Sequence, residues 1–292
     1  MSITENEIAS QPDVWAQAAA RTDELADVLR APGERMLVVG CGTSAFMAAS
    51  IAALREAAGL GETDGTFPSE VPPGRRYDRV VALTRSGTTT EVERLLADLP
   101  GVRRSVITAV PDAPVARHAH EVVVLAEADE RSVVQTRFPT TVLRVARAAL
   151  GADVSHLDGQ CRAALAAPLP VDVTAIDHVV YLGSGWILGL AHEAALKVRE
   201  AAQAWSESYP APDYRHGPIA VAGPRSLVWI FGAPPPGLVA DVEATGAAVV
   251  VPDGDPLVQL VQAQRLATAL AAHRGLDPDR PRHLTRSVVL GA

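Results

Sequence analysis

Cysteine, positive charge and long apolar runs are scarce in this sequence, and each scarcity excludes a class of protein. Two cysteines are present, Cys41 and Cys161, far apart and outside any CxxC or HExxH spacing, so the sequence predicts no disulfide framework and no metal site. No 18 consecutive residues are all apolar, so no membrane-spanning helix is predicted. The formal net charge of -8 argues against a nucleic-acid partner. The first ten residues lack a basic stretch followed by an apolar one, so we expect a cytoplasmic protein.

Hydrophobic residues are abundant, at 48% of 292, and they form short β-rich runs that alternate with helical patterns. That alternation is typical of βαβ units around a parallel sheet. The order strand, glycine turn, helix occurs twice, in "LVVGCGTSAFMAAS" and in "VYLGSGWILGLAHE", which indicates an internal duplication. We therefore predict an α/β fold with two tandem, doubly wound, flavodoxin-like parallel-sheet subdomains. The predicted boundaries are a helical segment at 1–30, one subdomain at 31–168 and another, with the C-terminal tail, at 172–292.

Two loops rich in glycine and hydroxyl side chains follow predicted strands. They are "GCGTS" (Gly40–Ser44) and "TRSGTT" (Thr84–Thr89). At the carboxyl ends of parallel strands, helix N-termini direct N–H groups and partial positive charge outward, which is typical of a phosphate site. The same hydroxyls are also typical of ordinary helix N-caps, whereas a dinucleotide site is disfavoured because the third glycine of GxGxxG is missing. The second half has "FGAPPPG" instead, whose three prolines lack N–H groups, so one phosphate site per chain is predicted.

A helix predicted near residues 187–205 carries a row of charged residues. Glu193, Lys197 and Glu200 follow i, i+4, i+7 spacing and therefore share one face. One interpretation is a solvated salt bridge between Glu193 and Lys197. The other is a buried functional array, because the surrounding side chains are mostly apolar and buried charges are usually paired or functional. A glutamate in such an array can serve as a general base.

Several motifs, in order along nearly the whole chain, resemble the sugar isomerase (SIS) family, in the double-domain arrangement of the isomerase half of glucosamine-fructose-6-phosphate aminotransferase. They are "EIASQP", "GCGTS", "TRSGTT", "ALKVRE", "YRHGP" and "DRPRHLTRSV". The resemblance implies that a phosphosugar is the ligand and that its phosphate binds Ser44, Thr84, Arg85, Ser86 and Thr89. Weaker candidates for substrate binding are Gly42, Thr43, Gln135, Glu193 and Arg286.

The resemblance also implies catalytic roles. Glu200 is expected to move a proton between C1 and C2 of the sugar, with Lys197 near the substrate oxygens. His216 is expected to assist ring opening from the neighbouring subunit of a homodimer, although a lone loop histidine is more often structural. Asp213 and Arg215 are expected to orient its loop.

Departures from the pattern narrow the prediction. Arg286 stands at the position where glucosamine-fructose-6-phosphate aminotransferase has a lysine that engages the ketose carbonyl. A guanidinium forms no Schiff base. No glutaminase segment is seen, so amide transfer is not expected. We predict an isomerising deaminase of an amino-sugar phosphate such as glucosamine 6-phosphate, without metal or organic cofactor. A fructosamine-6-phosphate deglycase and a non-catalytic phosphosugar sensor remain the alternatives.

Overall fold

Strands and helices alternate along the chain in a computed structural model, which describes residues 1–99 and 101–290. The strands are β1 Met36–Val39, β2 Thr63–Thr66, β3 Arg79–Leu83, β4 Arg103–Thr108, β5 Glu121–Val124, β6 His178–Gly183, β7 Trp205–Pro210, β8 Ser226–Ile230 and β9 Ala248–Val250. The α-helices are α1 Ile3–Ala9, α2 Gln11–Ala18, α3 Thr22–Leu29, α4 Thr43–Ala57, α5 Thr90–Ala97, α6 Arg137–Ala149, α7 Leu157–Ala166, α8 Ile187–Ala202, α9 Leu238–Glu243 and α10 Pro256–His273.

The chain divides into two units. The N-terminal unit comprises Ser10–His156 and the chain from Thr285 onward, and the C-terminal unit comprises Met1–Ala9 and Leu157–Leu284. This division differs from the predicted boundaries at both ends of the chain. The segment at 1–30 is split, because α1 packs on α10 whereas α2 and α3 pack on α6. The tail at 285–290 groups with the first sheet, since Thr90 and Arg85 hydrogen-bond to it.

A five-stranded sheet forms the centre of the N-terminal unit. Its order is β2-β1-β3-β4-β5 with parallel pairing throughout, which is the flavodoxin-like order. β1 and β3 are buried along their whole length, because central strands of a doubly wound sheet are covered by helices on both faces.

A four-stranded parallel sheet of the same order, β7-β6-β8-β9, forms the centre of the C-terminal unit. The turn after its first strand also repeats the geometry of the first unit. Gly42 and Gly185 precede α4 and α8 with φ of 54° and 57°, a left-handed region that favours glycine. The predicted duplicated α/β fold is confirmed.

Two edge strands, β2 and β7, escaped the sequence prediction. Their sequences, "TDGT" and "WSESYP", are polar, and their residues are mostly only partly buried. Each pairs on one side, β2 with β1 and β7 with β6. An edge strand needs little apolar side chain, so it lacks the hydrophobic pattern by which the central strands were found.

In the C-terminal unit α8 packs closely against α10 and against the sheet. Both helices bury long stripes of small and aliphatic residues, which is typical of helices that cover a parallel sheet. Across the described residues, no helix combines the length and hydrophobicity that crossing a membrane requires.

Candidate functional site

The loop after β1 brings backbone and hydroxyl groups to the first turn of α4. Gly40 admits no side chain, because a Cβ there would lie 2.5 Å from the Ser44 Cβ. Gly42 is the N-cap residue of α4 and offers no side-chain cap. Thr43 and Ser44 are therefore the first two helical residues, and both are buried. Their amides lie at the positive end of a 15-residue helix.

The loop after β3 lies beside it, since β1 and β3 are parallel neighbours. The Thr84 Oγ1 accepts a hydrogen bond from the Gly87 amide at 3.2 Å, and the Ser86 Oγ accepts one from the Thr88 amide at 3.3 Å. Gly87 has φ of 64°, and a Cβ there would lie 2.2 Å from the Ala113 Cβ. Thr89 is the N-cap residue of α5, yet its side chain makes no cap hydrogen bond. The hydroxyls therefore shape the turn and are not used as ordinary N-caps.

The C-terminal tail lies along the same loop. The Thr88 Oγ1 is 3.0 Å from the Ser287 Oγ, the Thr90 amide donates to the Val288 carbonyl at 3.4 Å, and the Leu290 amide donates to the Thr90 Oγ1 at 3.0 Å. The sequence prediction passed over Thr88. Its position inside the hydroxyl run was the available signal.

Arg85 has an unexpected environment. The resemblance implies that this side chain binds the phosphate, but the residue is 2% exposed and its guanidinium has partners within the protein. Its guanidinium donates to the Ser132 carbonyl at 2.9 Å and to the Arg286 carbonyl at 2.6 Å, and lies 3.6 Å from the Glu130 carboxylate. Arg85 therefore joins the loop after β3 to the segment before α6 and to the tail.

Glu130 organises that segment. Its Oε1 accepts hydrogen bonds from the Thr136 and Arg137 amides, both at 2.5 Å, so it satisfies two N–H groups at the start of α6. The Arg286 guanidinium pairs with Asp129 and donates to the Glu130 carbonyl at 3.1 Å. Glu130 was not predicted, because no motif or spacing singles it out.

Gln135 directly precedes Thr136, the N-cap residue of α6. Its Oε1 is buried and has no hydrogen-bond partner among the described residues. A buried amide oxygen without a partner is costly, which suits a group that a ligand hydroxyl completes. This observation supports Gln135 as a substrate-binding candidate.

In the C-terminal unit, α8 presents the predicted charged row. The Lys197 Nζ lies 2.5 Å from the Glu200 Oε2 and 3.3 Å from the Glu193 Oε1. The side chains of Glu193 and Lys197 are 0% and 1% exposed, whereas that of Glu200 is 18% exposed. The pair of Glu193 and Lys197 is thus buried rather than solvated, and Glu200 is the member that solvent reaches.

Glu200 lines a surface cavity of about 340 Å³ in the C-terminal unit. Arg199 and Gln203 of the α8 end and Arg282 and His283 of the chain before the tail also line it. The Arg199 guanidinium is anchored on the Ser206 carbonyl at 2.9 Å. The cavity therefore combines a carboxylate with two guanidinium groups. Of these residues only Glu200 was predicted from the sequence, although "PRHL" lies within the motif "DRPRHLTRSV".

His216 ends a short 3₁₀ turn, Ala211–His216, and is exposed. Arg215 ties this turn to α9, because its Nε donates to Asp241 at 2.5 Å and its Nη2 donates to the Pro236 carbonyl at 2.8 Å. Asp213 is exposed on the same turn. Within the described part of the C-terminal unit, His216 does not line the cavity of Glu200.

Cys41 lies between the two glycines of the loop after β1. Burial raises the pKa of its thiol to about 11, with a smaller contribution from the negative charge of Glu91. The thiol therefore stays protonated at neutral pH, and thiolate is the form that alkylating agents attack. We expect native Cys41 to react with N-ethylmaleimide at pH 7.5 about 100-fold more slowly than an unperturbed cysteine. Mass spectrometry of a Cys161→Ser variant, native and denatured, measures this rate. Rapid labelling of the native protein would contradict the expectation.

The chain resembles known proteins over nearly its whole length. It is 30% identical to the proposed D-galactosamine-6-phosphate deaminase AgaS of Streptomyces coelicolor, over 95% of this chain and 91% of that protein. It is 26% identical to the isomerizing glutamine–fructose-6-phosphate aminotransferase of Pyrobaculum aerophilum, over 97% of this chain and 57% of that protein. The chain thus spans little more than half the length of that aminotransferase. No protein-family model matches it.

Solved structures carry the same fold. A glucosamine-6-phosphate deaminase from Thermotoga maritima has a TM-score of 0.83 at 24% identity, with 99% of this chain and 100% of that chain covered. The tagatose-6-phosphate ketose/aldose isomerase of Escherichia coli has a TM-score of 0.78 at 23% identity, with 95% and 94% covered. These likenesses show the fold. Together with the AgaS relative, which matches almost from end to end, they place the chain in the sugar isomerase (SIS) family.

Proposed function

We propose that this protein is a phosphosugar aldose–ketose isomerase, and specifically an isomerising deaminase of an amino-sugar 6-phosphate such as glucosamine 6-phosphate. The observation that carries the proposal is the charged array of α8. Two of its members are buried as an ion pair, while Glu200 reaches a cavity. A carboxylate in that setting is positioned to remove a proton from a bound sugar.

The phosphate is proposed to bind the loops after β1 and β3. Ser44 and Thr89 lie at the N-termini of α4 and α5, where amides and partial positive charge favour an anion. Thr84 and Ser86 brace the turn of the second loop. These hydroxyls give the phosphate oxygens donors without a cluster of cations, which agrees with the net charge of -8.

In the proposed reaction Glu200 removes the proton from C2 of the open-chain sugar and returns it to C1. The intermediate is an enolamine, and after proton return an imine forms at C2, which water hydrolyses to the ketose with release of ammonia. Lys197 holds the Glu200 Oε2 at 2.5 Å and so fixes the orientation of the base. Positioned polar groups stabilise the intermediate, so the proposed chemistry requires no cofactor.

The relatives favour a deaminase over an enzyme that only isomerises its substrate. One is described as acting on D-galactosamine 6-phosphate and another, of the same fold, on glucosamine 6-phosphate. An amino group at C2 is common to both substrates. The epimer at C4 is therefore the variable that the first assay has to cover.

The test is incubation of the protein with glucosamine 6-phosphate and, separately, with galactosamine 6-phosphate, with ammonia and ketose 6-phosphate measured together. Equal amounts of the two products support the deaminase. Glucosamine without phosphate is the control, and it is expected to turn over at least 100-fold less efficiently because the phosphate loops then lie empty.

Other outcomes identify the alternatives. Interconversion of an aldose phosphate and a ketose phosphate without release of ammonia would support an isomerase and contradict the proposed deaminase. Release of an amine from a fructosamine 6-phosphate alone would indicate a deglycase. Thermal stabilisation by these sugars without any turnover would indicate a sensor.

We also propose a homodimer in which His216 serves the active site of the neighbouring subunit. Its exposure and the Arg215 anchor of its turn support a fixed, outward-facing group. Sedimentation measures the mass, and full activity of a monomer at micromolar concentration would contradict this proposal.

A Thr89→Val variant tests the phosphate loop with little change of shape. Because the Thr89 side chain does not cap α5, its loss is expected to leave the thermal midpoint unchanged. Loss of one hydrogen bond to a charged phosphate is expected to raise KM about 10-fold or more, with kcat nearly constant.

Thr84→Val is the matched variant for that experiment. Its hydroxyl accepts from the Gly87 amide, so we expect a lower thermal midpoint as well as a raised KM. An unchanged KM in the Thr89→Val variant would remove Thr89 from the proposed site.

A further inference from the structure

His283 lies in the chain just before the C-terminal tail, in the unit that contains Glu200. Its backbone is left-handed, with φ of 63°. Such a conformation is costly for a residue with a side chain, and it concentrates at functional sites. Among the described residues, three other than glycine have positive φ: Asp112, Gln203 and His283. Gln203 is the left-handed C-cap residue of α8, a common way for a helix to end, whereas His283 lies outside any helix; both line the same cavity as Glu200.

The His283 ring is available for chemistry. Neither of its nitrogens makes a hydrogen bond to the described part of the chain. In Glu200, the Oε2 accepts a hydrogen bond from the Lys197 Nζ. The Oε1 has no hydrogen-bond partner among residues 1–99 and 101–290. One cavity of about 340 Å³ is thus lined by Glu200, which has one carboxylate oxygen without a hydrogen-bond partner among the described residues, and by an imidazole that likewise has none there.

The other polar residues that line the cavity are Arg199, Gln203 and Arg282, and none of them is of a type that commonly serves as a general acid. Arg199 and Arg282 carry guanidinium groups, which remain protonated in proteins. The Gln203 amide is neither an acid nor a base in this range. Lys197 does not line the cavity and is buried between two carboxylates. Imidazole is the side chain suited to gain and lose a proton under these conditions.

We propose that His283 is a catalytic acid that acts with Glu200 of the same chain, by protonating the carbonyl oxygen O1 of the open-chain sugar. The inference rests on the proposed function and names the second proton-transfer group of that reaction. It is distinct from the ring-opening role proposed for His216 of the neighbouring subunit.

The proton balance follows from the reaction. Glu200 takes the C2 proton, the C2–H electron pair forms the C1–C2 double bond, and the C1–O1 π pair moves to O1, which takes a proton from the imidazolium of His283. Glu200 then returns its proton to C1 while the nitrogen lone pair forms the iminium at C2. When water adds at C2, the neutral imidazole takes the proton that the water loses, and the carbinolamine then releases ammonia.

His283→Gly is the sharpest variant, because glycine adopts φ near 60° without strain. It is expected to fold at least as stably as the natural protein, so a loss of turnover cannot be ascribed to misfolding. We expect kcat to fall about 100-fold or more, KM to change less than 3-fold, and the basic limb of the pH profile of kcat/KM to disappear. Added free imidazole is expected to restore part of the rate.

His273→Asn is the matched control, since His273 is exposed at the end of α10 and does not line the cavity. It is expected to keep full activity. If the natural protein turns over a phosphosugar and His283→Gly retains more than a third of kcat, the inference is wrong while the proposed function stands. If the natural protein turns over none of the phosphosugars, both the proposed function and this inference are wrong.

Discussion

A Glu200→Gln protein is expected to lose turnover of its phosphosugar by about 10²- to 10⁴-fold while it still folds and binds the sugar. Glutamine matches glutamate in shape, and its amide oxygen can still accept from the Lys197 Nζ, which lies 2.5 Å from the natural carboxylate. Lys197 also keeps its ion pair with Glu193 at 3.3 Å, so no buried charge is left uncompensated. What disappears is the basicity that removes a carbon-bound proton.

Incorporation of solvent deuterium into the sugar measures this step directly. The exchange is expected to fall in parallel with ammonia release, because both follow proton removal. Glu193→Gln is the comparison, since it removes a carboxylate from the same array at a position with 0% exposure. We expect that variant to lose stability and to retain exchange. Exchange in Glu200→Gln above a tenth of the natural rate would show that another group is the base.

The central strands and the two loops were predictable because their signals are local. β1 and β3 are buried on both faces, so their residues are almost all apolar, and the glycine-rich turns follow at once along the chain. The row of Glu193, Lys197 and Glu200 was predictable in the same way, because helical spacing alone places the three on one face. Whether the row is solvated or buried was left open by the sequence, and exposures of 0% and 1% for the first two decide in favour of burial.

Features fixed by distant parts of the chain were not predictable. The contacts of Arg85 join residues 47 and 201 positions away, so the pattern "TRSG" gives no indication of where this side chain lies. The left-handed backbone of Gln203 and His283 is likewise set by the surrounding structure, because residues other than glycine adopt it only rarely. The polar edge strands β2 and β7 depend on a neighbouring strand already being in place.

An Arg85→Met variant is expected to be destabilised by about 3–5 kcal/mol, because it removes one partner of a buried ion pair and leaves Glu130 without its countercharge. Arg85 and Glu130 are 2% and 1% exposed. The substitution also removes the hydrogen bonds that Arg85 donates to the Ser132 and Arg286 carbonyls. The second of these bonds joins the loop to the tail. A fall in the thermal midpoint of about 6 °C or more is expected, measured by calorimetry. Arg94→Met, at an exposed position of α5, is the control and is expected to change stability by less than about 0.5 kcal/mol.

The double variant Arg85→Met with Glu130→Gln separates the charge from the side-chain contacts. Glutamine has an oxygen that can still accept from the Thr136 and Arg137 amides, which both lie 2.5 Å from the natural carboxylate. Because the double variant buries no unpaired charge, it is expected to be more stable than Arg85→Met alone. The resemblance to the SIS family assigns Arg85 to the phosphate instead, and that role has a different outcome: KM for the phosphosugar rises while the thermal midpoint is unchanged. A stable Arg85→Met protein with a raised KM would therefore show that Arg85 binds the phosphate. Loss of stability that Glu130→Gln restores in part would show that Arg85 instead holds the loop after β3 to the segment before α6 and to the tail.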